Sequence, residues 1–430
     1  MSPSWVKLGG QGYFLSAENP SATTEQLALE ETAKRLMKRP ELQRARSIVS
    51  ILWRNAAAWP ARDQMDLFEA AVDEFVFYCV MRAANSDANY PKILRFMEPP
   101  SRWFGYDLPG SRWGGSSPNF AYRCIPLAHG ARYEIQGRAT CEKPPSVTYA
   151  LTTTSATPST PETLDSSQME FDADGGFEIT VDDQPANGRK NHIQTRALEC
   201  FLQIRDALGD WLTQTPNALR VTRLDPPTRA PLGDDEMAAH AARLAQEGFY
   251  YAYYCTQSGS GQAPNVFRAP VSSGAFGGMA TQWGTKGNLE LEEADALIIT
   301  ANTAGAGFRD VTLCSVFFTS LDFWTRTSSF SMAQMEADVD GRVTYVIAHT
   351  DPGINNWLDT GGRKRLIFGQ RWQAFGPGGP TETPAFSSRI VKFAELEREL
   401  PPGVARIGSA GRAAQLASRA AGFRRRFIEA

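Results

Sequence analysis

Two stretches of this chain present the same turn, the same kind of strand and the same second turn in the same order. Asp172-Ala-Asp-Gly175 precedes Phe177-Glu-Ile-Thr-Val181, and Asp338-Val-Asp-Gly341 precedes Val343-Thr-Tyr-Val-Ile347. About sixteen residues after each glycine comes a polar turn, Asn191-His192 in the first copy and Asn356-Trp357 in the second, and then another apolar strand. The Asp/Gly turn before an alternating strand predicts a hairpin in each copy, and the self-similarity predicts two related β units. The open alternative is that two hairpins adopted the same turn chemistry independently. A length of 430 residues accommodates two or three cores, since single cores stop growing near roughly 250–300 residues.

Helices are expected at both ends. Ser21-Ala-Thr-Thr-Glu25 supplies capping residues, after which Leu29, Ala33, Leu36 and Met37 recur at helical spacing until Pro40. A second helix is expected over 41–58. From residue 61 a third carries Met65, Phe68, Val72, Phe75 and Cys79 on one face and Arg62, Asp66, Glu69 and Asp73 on another. Strands are expected over 119–126, 131–137, 145–153, 294–301, 311–318 and 343–349, a helix over 234–246, and a long Gly/Ser-rich loop over 259–278. The 411–427 segment reads as a helix with Leu416, Ala420 and Phe423 on one side and Arg424-Arg-Arg426 as partners of its C-terminal dipole. The expected fold class is α+β, with a helical N-terminal region (1–110), a first β-sandwich-like, jelly-roll-like unit (111–225), a helix and Gly/Ser-rich connection (226–283), a second such unit (284–376), and a C-terminal extension and helix (377–430).

Composition narrows the function. A formal charge of −3 and 21% charged residues provide no global field for nucleic acid. No apolar run approaches the roughly 20 residues that span a bilayer, and residues 1–10 lack a signal-peptide pattern, so no membrane or nucleic-acid partner and a cytoplasmic location are expected. The six cysteines (Cys79, Cys124, Cys141, Cys200, Cys255 and Cys314) are scattered and read as buried thiols. His129, His192, His240 and His349 show no i, i+4 pair of the kind that binds metal. No cofactor and no metal site are expected, although an oxygen-ligand site stays open. Asp172-Ala-Asp-Gly-Gly176 lacks the spacing of a calcium loop, Ala304-Gly-Ala-Gly307 lacks the rest of a phosphate or dinucleotide cradle, and Ser258-Gly-Ser-Gly261 is no nucleophile elbow.

Two blocks carry a family resemblance. The first is Arg112-Trp-Gly-Gly115, Asn119-Phe-Ala-Tyr-Arg123 and Tyr133-Glu-Ile-Gln-Gly137. The second, more specific, is Leu321-Asp322, Ser328-Ser329, Asp338-Val-Asp-Gly341 and Ala348-His-Thr-Asp-Pro-Gly353 leading to Asn356-Trp-Leu-Asp-Thr360. Together they resemble bacterial proteins carrying the domain of unknown function 1214, in the form with a helical N-terminal region, over most of residues 60–430. The resemblance implies two β-sandwich-like units flanked by helices, a cytoplasmic protein, and a setting concerned with steroids, terpenes or aromatic compounds. It implies no established catalytic set. The chain departs from that pattern at Pro118-Asn119, where the family tends to Asp after the proline, and at Asn191-His192, where it tends to Asn-Trp.

The candidate site residues follow from type and position. His349 is a candidate general acid or base, with Asp351 or Asp322 setting its protonation and Asn356 donating to an oxyanion. The other reading of that block is a plain Asp-Pro-Gly turn with Trp357 as its packing lid. Glu74 and Tyr78 share a helix face at i, i+4 and read either as acid and proton relay or as the rim of a helix contact. Tyr122 and Arg123 fall on opposite faces of one strand, and with Asn119, Trp324, Arg326, Asn356, Trp357 and Arg371 they are candidate substrate-binding residues. An inward arginine would orient a carboxylate or phenolate; an outward one would be a solvated surface charge. Aromatic residues at 11% suit a cavity for a flat hydrophobic ligand. The expected function is a cofactor-independent lyase or hydrolase using acid–base chemistry on a hydrophobic aromatic, terpenoid or steroid-like substrate, with a non-catalytic binding protein for the same molecules as the alternative. A homo-oligomer is left open.

Overall fold

The computed structural model describes residues 4–10, 12–55, 64–139, 143–153, 158–197, 199–260 and 263–427. Three helices open the chain: α1 (Thr24–Leu36), α2 (Pro40–Arg54) and α3 (Met65–Ala84). Thr23 caps α1 by accepting from the Gln26 amide at 3.0 Å, and Pro40 at the first position of α2 stands where its missing N–H costs nothing. Phe68, Val72, Phe75 and Cys79 are buried as their spacing predicts, but so are Ala71, Val76, Phe77, Val80 and Met81. The helix is enclosed nearly all round because α1, α2, a later helix and a sheet pack on it.

The first unit contains β1 (Leu94–Phe96), the ribbon β2 (Ser101–Trp103) and β3 (Tyr106–Leu108), β4 (Phe120–Leu127), β5 (Tyr133–Arg138), β6 (Ser146–Thr153), β7 (Glu162–Asp165), β8 (Gly176–Asp182), β9 (His192–Gln194), β10 (Cys200–Ala207) and β11 (Ala218–Arg223). Helix α4 (Asp234–Ser260) follows. The second unit contains β12 (Val271–Ser272), β13 (Trp283–Glu290), β14 (Asp295–Ala301), β15 (Phe308–Cys314), β16 (Ser329–Phe330), β17 (Val343–Ala348), β18 (Trp357–Asp359), β19 (Arg365–Gln373) and β20 (Phe386–Lys392). The short α5 (Leu396–Glu399) and α6 (Ser409–Phe427) end the described chain. The protein is α+β.

Each unit is a sandwich of a five-stranded and a four-stranded sheet. Their orders are β1-β4-β10-β6-β7 with β11-β5-β8-β9, and β12-β13-β19-β15-β16 with β20-β14-β17-β18. Apart from the β2–β3 ribbon, every strand of the first unit has a counterpart of the same rank in the second. The correspondence includes the parallel pairs β8–β9 and β17–β18 within otherwise antiparallel sheets, so the self-similarity is a duplication of the whole sandwich. The Asp/Gly turns are real: Gly175 and Gly341 have φ of 81°, and the Asp172 and Asp338 amides donate to the Gly176 and Arg342 carbonyls at 2.7 Å. They do not close the expected hairpins. β8 pairs with β5 and β9, and β17 with β14 and β18, because the chain before each turn forms a one-turn 3-10 helix rather than a partner strand.

Boundaries shift accordingly: β1 precedes residue 111, β12 lies in the expected connection, and β20 lies beyond residue 376. Helix α4 continues past 246 into the expected loop, and the strand expected over 311–318 ends at Cys314, where the chain bends and Phe318 takes φ 63°. The second helix is expected to run to residue 58, and residues 56–63 lie outside the described residues.

Strand β5 alternates buried and half-buried positions, as a sheet with one solvated face should. β4, β6 and β15 are buried on both faces. Their second face is covered because the two five-stranded sheets turn toward each other beneath α3 and α4. Gln373 Nε2 donates to Ser146 Oγ and Thr148 Oγ1, both at 3.1 Å, and the Phe120 and Phe308 rings meet at 5.1 Å.

Helix α6 fastens both units from outside with Arg412, Arg419 and Arg426, spaced two turns apart on one buried face. Arg412 pairs with Asp351 at 2.9 Å; Arg419 donates to the Phe323 and Ser329 carbonyls; Arg426 donates to the Pro118 and Phe120 carbonyls at 2.6 and 2.9 Å. Arg426 is therefore a buried anchor and not the dipole partner its position suggested. Cys79, Cys124, Cys200 and Cys314 are buried free thiols, with burial pushing Cys79 and Cys314 up to about 12. Cys141 and the Cys255 side chain lie outside the described residues.

Candidate functional site

The block around His349 is occupied with holding the second sandwich together. His349 Nδ1 is 2.6 Å from Thr360 Oγ1, and Nε2 is 3.2 Å from the Leu291 carbonyl. Asp351 accepts the Gly353 amide in its own turn and pairs with Arg412. Asn356 is 1% exposed; its side chain accepts from the Glu336 amide at 2.9 Å and donates to the Glu336 carbonyl at 2.7 Å. That leaves it unavailable to an oxyanion. Trp357 donates to the Ala348 carbonyl and lies against Arg412. The turn-and-lid reading describes this block.

Other candidates also hold structure. Glu74 accepts the backbone amide and Nε of Arg112, both at 2.9 Å, and Arg112 Nη2 at 2.5 Å; Arg112 in turn donates to the Ser320 carbonyl of the second unit. Tyr122 and Arg123 do face opposite ways. Tyr122 turns to the junction, its hydroxyl accepting the Ser117 amide. Arg123 is 2% exposed and doubly bonded to Asp206 at 2.9 and 2.7 Å, so it is a buried ion pair rather than the solvated charge an isolated arginine suggests. Asn119 donates to the Phe330 carbonyl, Trp324 stacks on Phe423 at 4.8 Å, and Arg326 forms a half-exposed pair with Asp359.

Tyr78 is placed differently. It lines a cavity of about 470 Å³ between the two five-stranded sheets and under α3 and α4, within the ~300–1,000 Å³ typical of small-molecule sites. Its walls include Phe75, Trp113, Phe201 and Phe318, and Thr152, Gln203, Arg205 and Lys286 supply polar groups. The Tyr78 ring stacks on Phe96 at 5.6 Å and meets Trp113 edge-on at 5.3 Å. Its hydroxyl accepts from Arg82 Nη1 at 3.2 Å, and the Arg82 guanidinium lies 3.6 Å above the Phe201 ring. Burial raises the Tyr78 pKa, with Arg82 pulling the other way. A second cavity of about 260 Å³ adjoins the first, sharing Ser273, Gln282, Lys286 and Phe318, and reaches Arg371. Arg371 pairs with the buried Asp310 at 3.1 Å and donates to the Gly115 carbonyl. Arg205 and Arg371 lie on the corresponding central strands β10 and β19, both close enough to Tyr122 to oppose the upward shift that burial gives its phenol.

Of the twelve candidates, then, Tyr78 and Arg371 line the two cavities, Tyr122 turns to the junction without lining either, and the rest hold structure elsewhere. The sequence reading missed Arg82, Phe201, Arg205 and Lys286. A signal existed for three of them: Arg82 is i+4 from Tyr78, and Phe201 and Arg205, with Gln203, alternate with Leu202 and Ile204, which marks a non-core face. Among the described residues no group of three or more His, Cys, Asp or Glu could hold a metal ion, and no helix is long and apolar enough to cross a membrane.

No family model and no curated protein matches the chain. The fold is similar to the solved structure of an uncharacterized protein from Burkholderia cenocepacia, with a TM-score of 0.68 and 21% identity over 86% of this chain and 99% of that one. A structure of a Vibrio parahaemolyticus protein matches at a TM-score of 0.40 and 12% identity, over 75% of this chain and 99% of that one. The first shares the two-unit fold; neither description assigns an activity.

Proposed function

We propose that the junction cavity is the site of an enzyme acting on a hydrophobic aromatic, terpenoid or steroid-like molecule by acid–base chemistry, with Tyr78 as proton donor. The observation that carries this reading is the Tyr78–Arg82 pair facing an aromatic-walled cavity. A phenol held protonated by burial is a donor, and the guanidinium beside it stabilises the phenolate left when the proton moves to a substrate oxygen. Phe75, Trp113, Phe201 and Phe318 supply the flat apolar surface such a substrate needs. The family resemblance of the two sequence blocks supports the substrate class, and a lyase or hydrolase is the reaction type proposed.

The second reading is a binding protein for the same molecules. It is favoured by the scarcity of bases: the carboxylate lining the cavity among the described residues is Glu247, half-exposed and 3.7 Å from Arg243 on its own helix. Incubating the purified protein with lignin-derived aromatics, steroids and terpenoids, and reading bound ligand and product by mass spectrometry, separates the two. Product from the wild type that is lost in Tyr78→Phe, with ligand retention kept, supports the enzyme. Tight retention of unchanged ligand by both proteins supports the carrier, and no retention of any compound contradicts both.

A further inference from the structure

The two cavities at the junction adjoin along Ser273, Gln282, Lys286 and Phe318; Tyr78 lines the larger and Gly369 the smaller. Gly369 sits in the central strand β19, paired with Lys286 on β13 and Thr312 on β15, where a glycine weakens a strand through its entropy and its missing packing. Neither its backbone nor its neighbours require it. Its φ lies outside the left-handed region that favours glycine, and a Cβ there would have no atom within 4 Å. Gly369 stands two positions before Arg371 as Gln203 stands two positions before Arg205 on the corresponding strand β10, and Gln203 lines the larger cavity. The first unit thus fills this position with a side chain, and the second keeps it clear. A strand glycine that the fold itself does not demand marks a place where another molecule comes close to the chain.

The donors of the smaller lobe are already committed within the protein. Thr285 Oγ1 donates to the Arg268 carbonyl at 2.7 Å, Thr312 Oγ1 to Ser117 Oγ at 3.0 Å, and Arg371 is held by Asp310 and the Gly115 carbonyl. The other walls include Val271, Ile367, the Phe318 ring and the neutral thiol of Cys314, a lining that suits an apolar occupant. We infer that Gly369 sets the length of the ligand: the two lobes hold one elongated molecule, its oxygen-bearing end at Tyr78 and its apolar far end over Gly369. Phe318 stands at the neck with its ring against Gly115, where a Cβ would come within 2.6 Å of it. This inference rests on the junction being the ligand site proposed above, and it narrows the substrate class there to a fused-ring or terpenoid body longer than two rings.

The test titrates the protein with two fluorescent phenols, 2-naphthol, which has two rings, and equilenin, a neutral four-ring steroid that contains the same naphthol. The wild type is expected to bind equilenin roughly tenfold or more tightly than 2-naphthol, because the added rings bury further apolar surface. That comparison stands on the wild type even where a variant fails to fold. Gly369→Leu, which fills the smaller lobe, should abolish the preference, and Gly369→Gln, which places there the side chain the first unit carries, should reduce it. Thr152→Trp, which fills the larger lobe, should weaken both probes. Equal affinity of the wild type for the two probes overturns the elongated ligand, and a preference for equilenin that survives both substitutions at Gly369 overturns the role of that residue; either result leaves the larger cavity in place as the site when Thr152→Trp weakens 2-naphthol. Failure of both probes to bind, or binding indifferent to Thr152→Trp, overturns the cavity as the site.

Discussion

Asn191 and Asn356 perform the same task in the two sandwiches. Each carboxamide accepts the backbone amide and donates to the carbonyl of a single glutamate after a 3-10 turn, Glu170 for Asn191 and Glu336 for Asn356. Each thereby ties the start of β9 or β18 to the chain that leaves β7 or β16. Replacing Asn356, which is 1% exposed, with Ala should cost about 1–3 kcal/mol by stranding backbone groups, read as a lower urea midpoint, whereas Asn191→Ala should cost less because water can take over its exposed bonds. Ligand binding at the junction should not change, since neither residue lines that cavity.

Glu74 and Arg112 should show the asymmetry of a buried ion pair. Glu74→Ala leaves the Arg112 guanidinium without its carboxylate and should destabilise by about 3–5 kcal/mol, whereas a Glu74→Leu, Arg112→Met double variant should lose much less. A thermodynamic double-mutant cycle on the four proteins checks this. Equal losses in single and double variants would contradict the pairing.

Helix α6 should depend on Arg419 more than on its apolar residues. The guanidinium makes four bonds, to the Phe323 and Ser329 carbonyls, Gln334 Oε1 and Ser329 Oγ. Arg419→Ala should cost about 3 kcal/mol or more and open α6 to limited proteolysis, while Ser418→Ala on the exposed face should be neutral.

The buried tyrosines set an alkaline limit. Burial raises the pKa of Tyr78, Tyr122, Tyr149 and Tyr345, so the folded protein keeps protons that the unfolded chain releases near pH ~10. Their contribution to stability is complete below that pH and falls as pH rises toward the folded values, because unfolding then releases protons. Tyrosinate absorbance should rise in two stages, exposed tyrosines first and the buried set together with loss of structure. The Tyr78 hydroxyl should accordingly remain a proton donor above the ordinary tyrosine range.

Much of the architecture was legible because it follows from local rules. The Asp172 and Asp338 turns announced the duplication, and the 68–72–75–79 spacing announced α3. Partner strands were not legible, since β8 and β17 pair antiparallel with the distant β5 and β14 rather than with the strand just before them, and parallel with β9 and β18. The site was harder. A His beside an Asp-Pro-Gly turn reads alike whether it catalyses or braces, and Thr360 and Leu291 decide for bracing only once the chain is folded. Arg123 looked like a surface charge because Asp206 is 83 residues away. The sequence drew no expectation for the faces of β10, whose polar side, with Gln203 and Arg205, borders the cavity only once the second unit is folded beside it. The seven-residue spacing of Arg412, Arg419 and Arg426 was visible but reads equally as a charged outer face.

A crystal structure of the protein soaked with anilinonaphthalene sulfonate, an aromatic fluorescent probe, would locate the ligand. The naphthalene rings are expected between α3, α4 and β10, against Phe201 and Trp113. Density in the groove of about 760 Å³ beside Val339 and Pro401 instead, with the junction cavity empty, would contradict that placement.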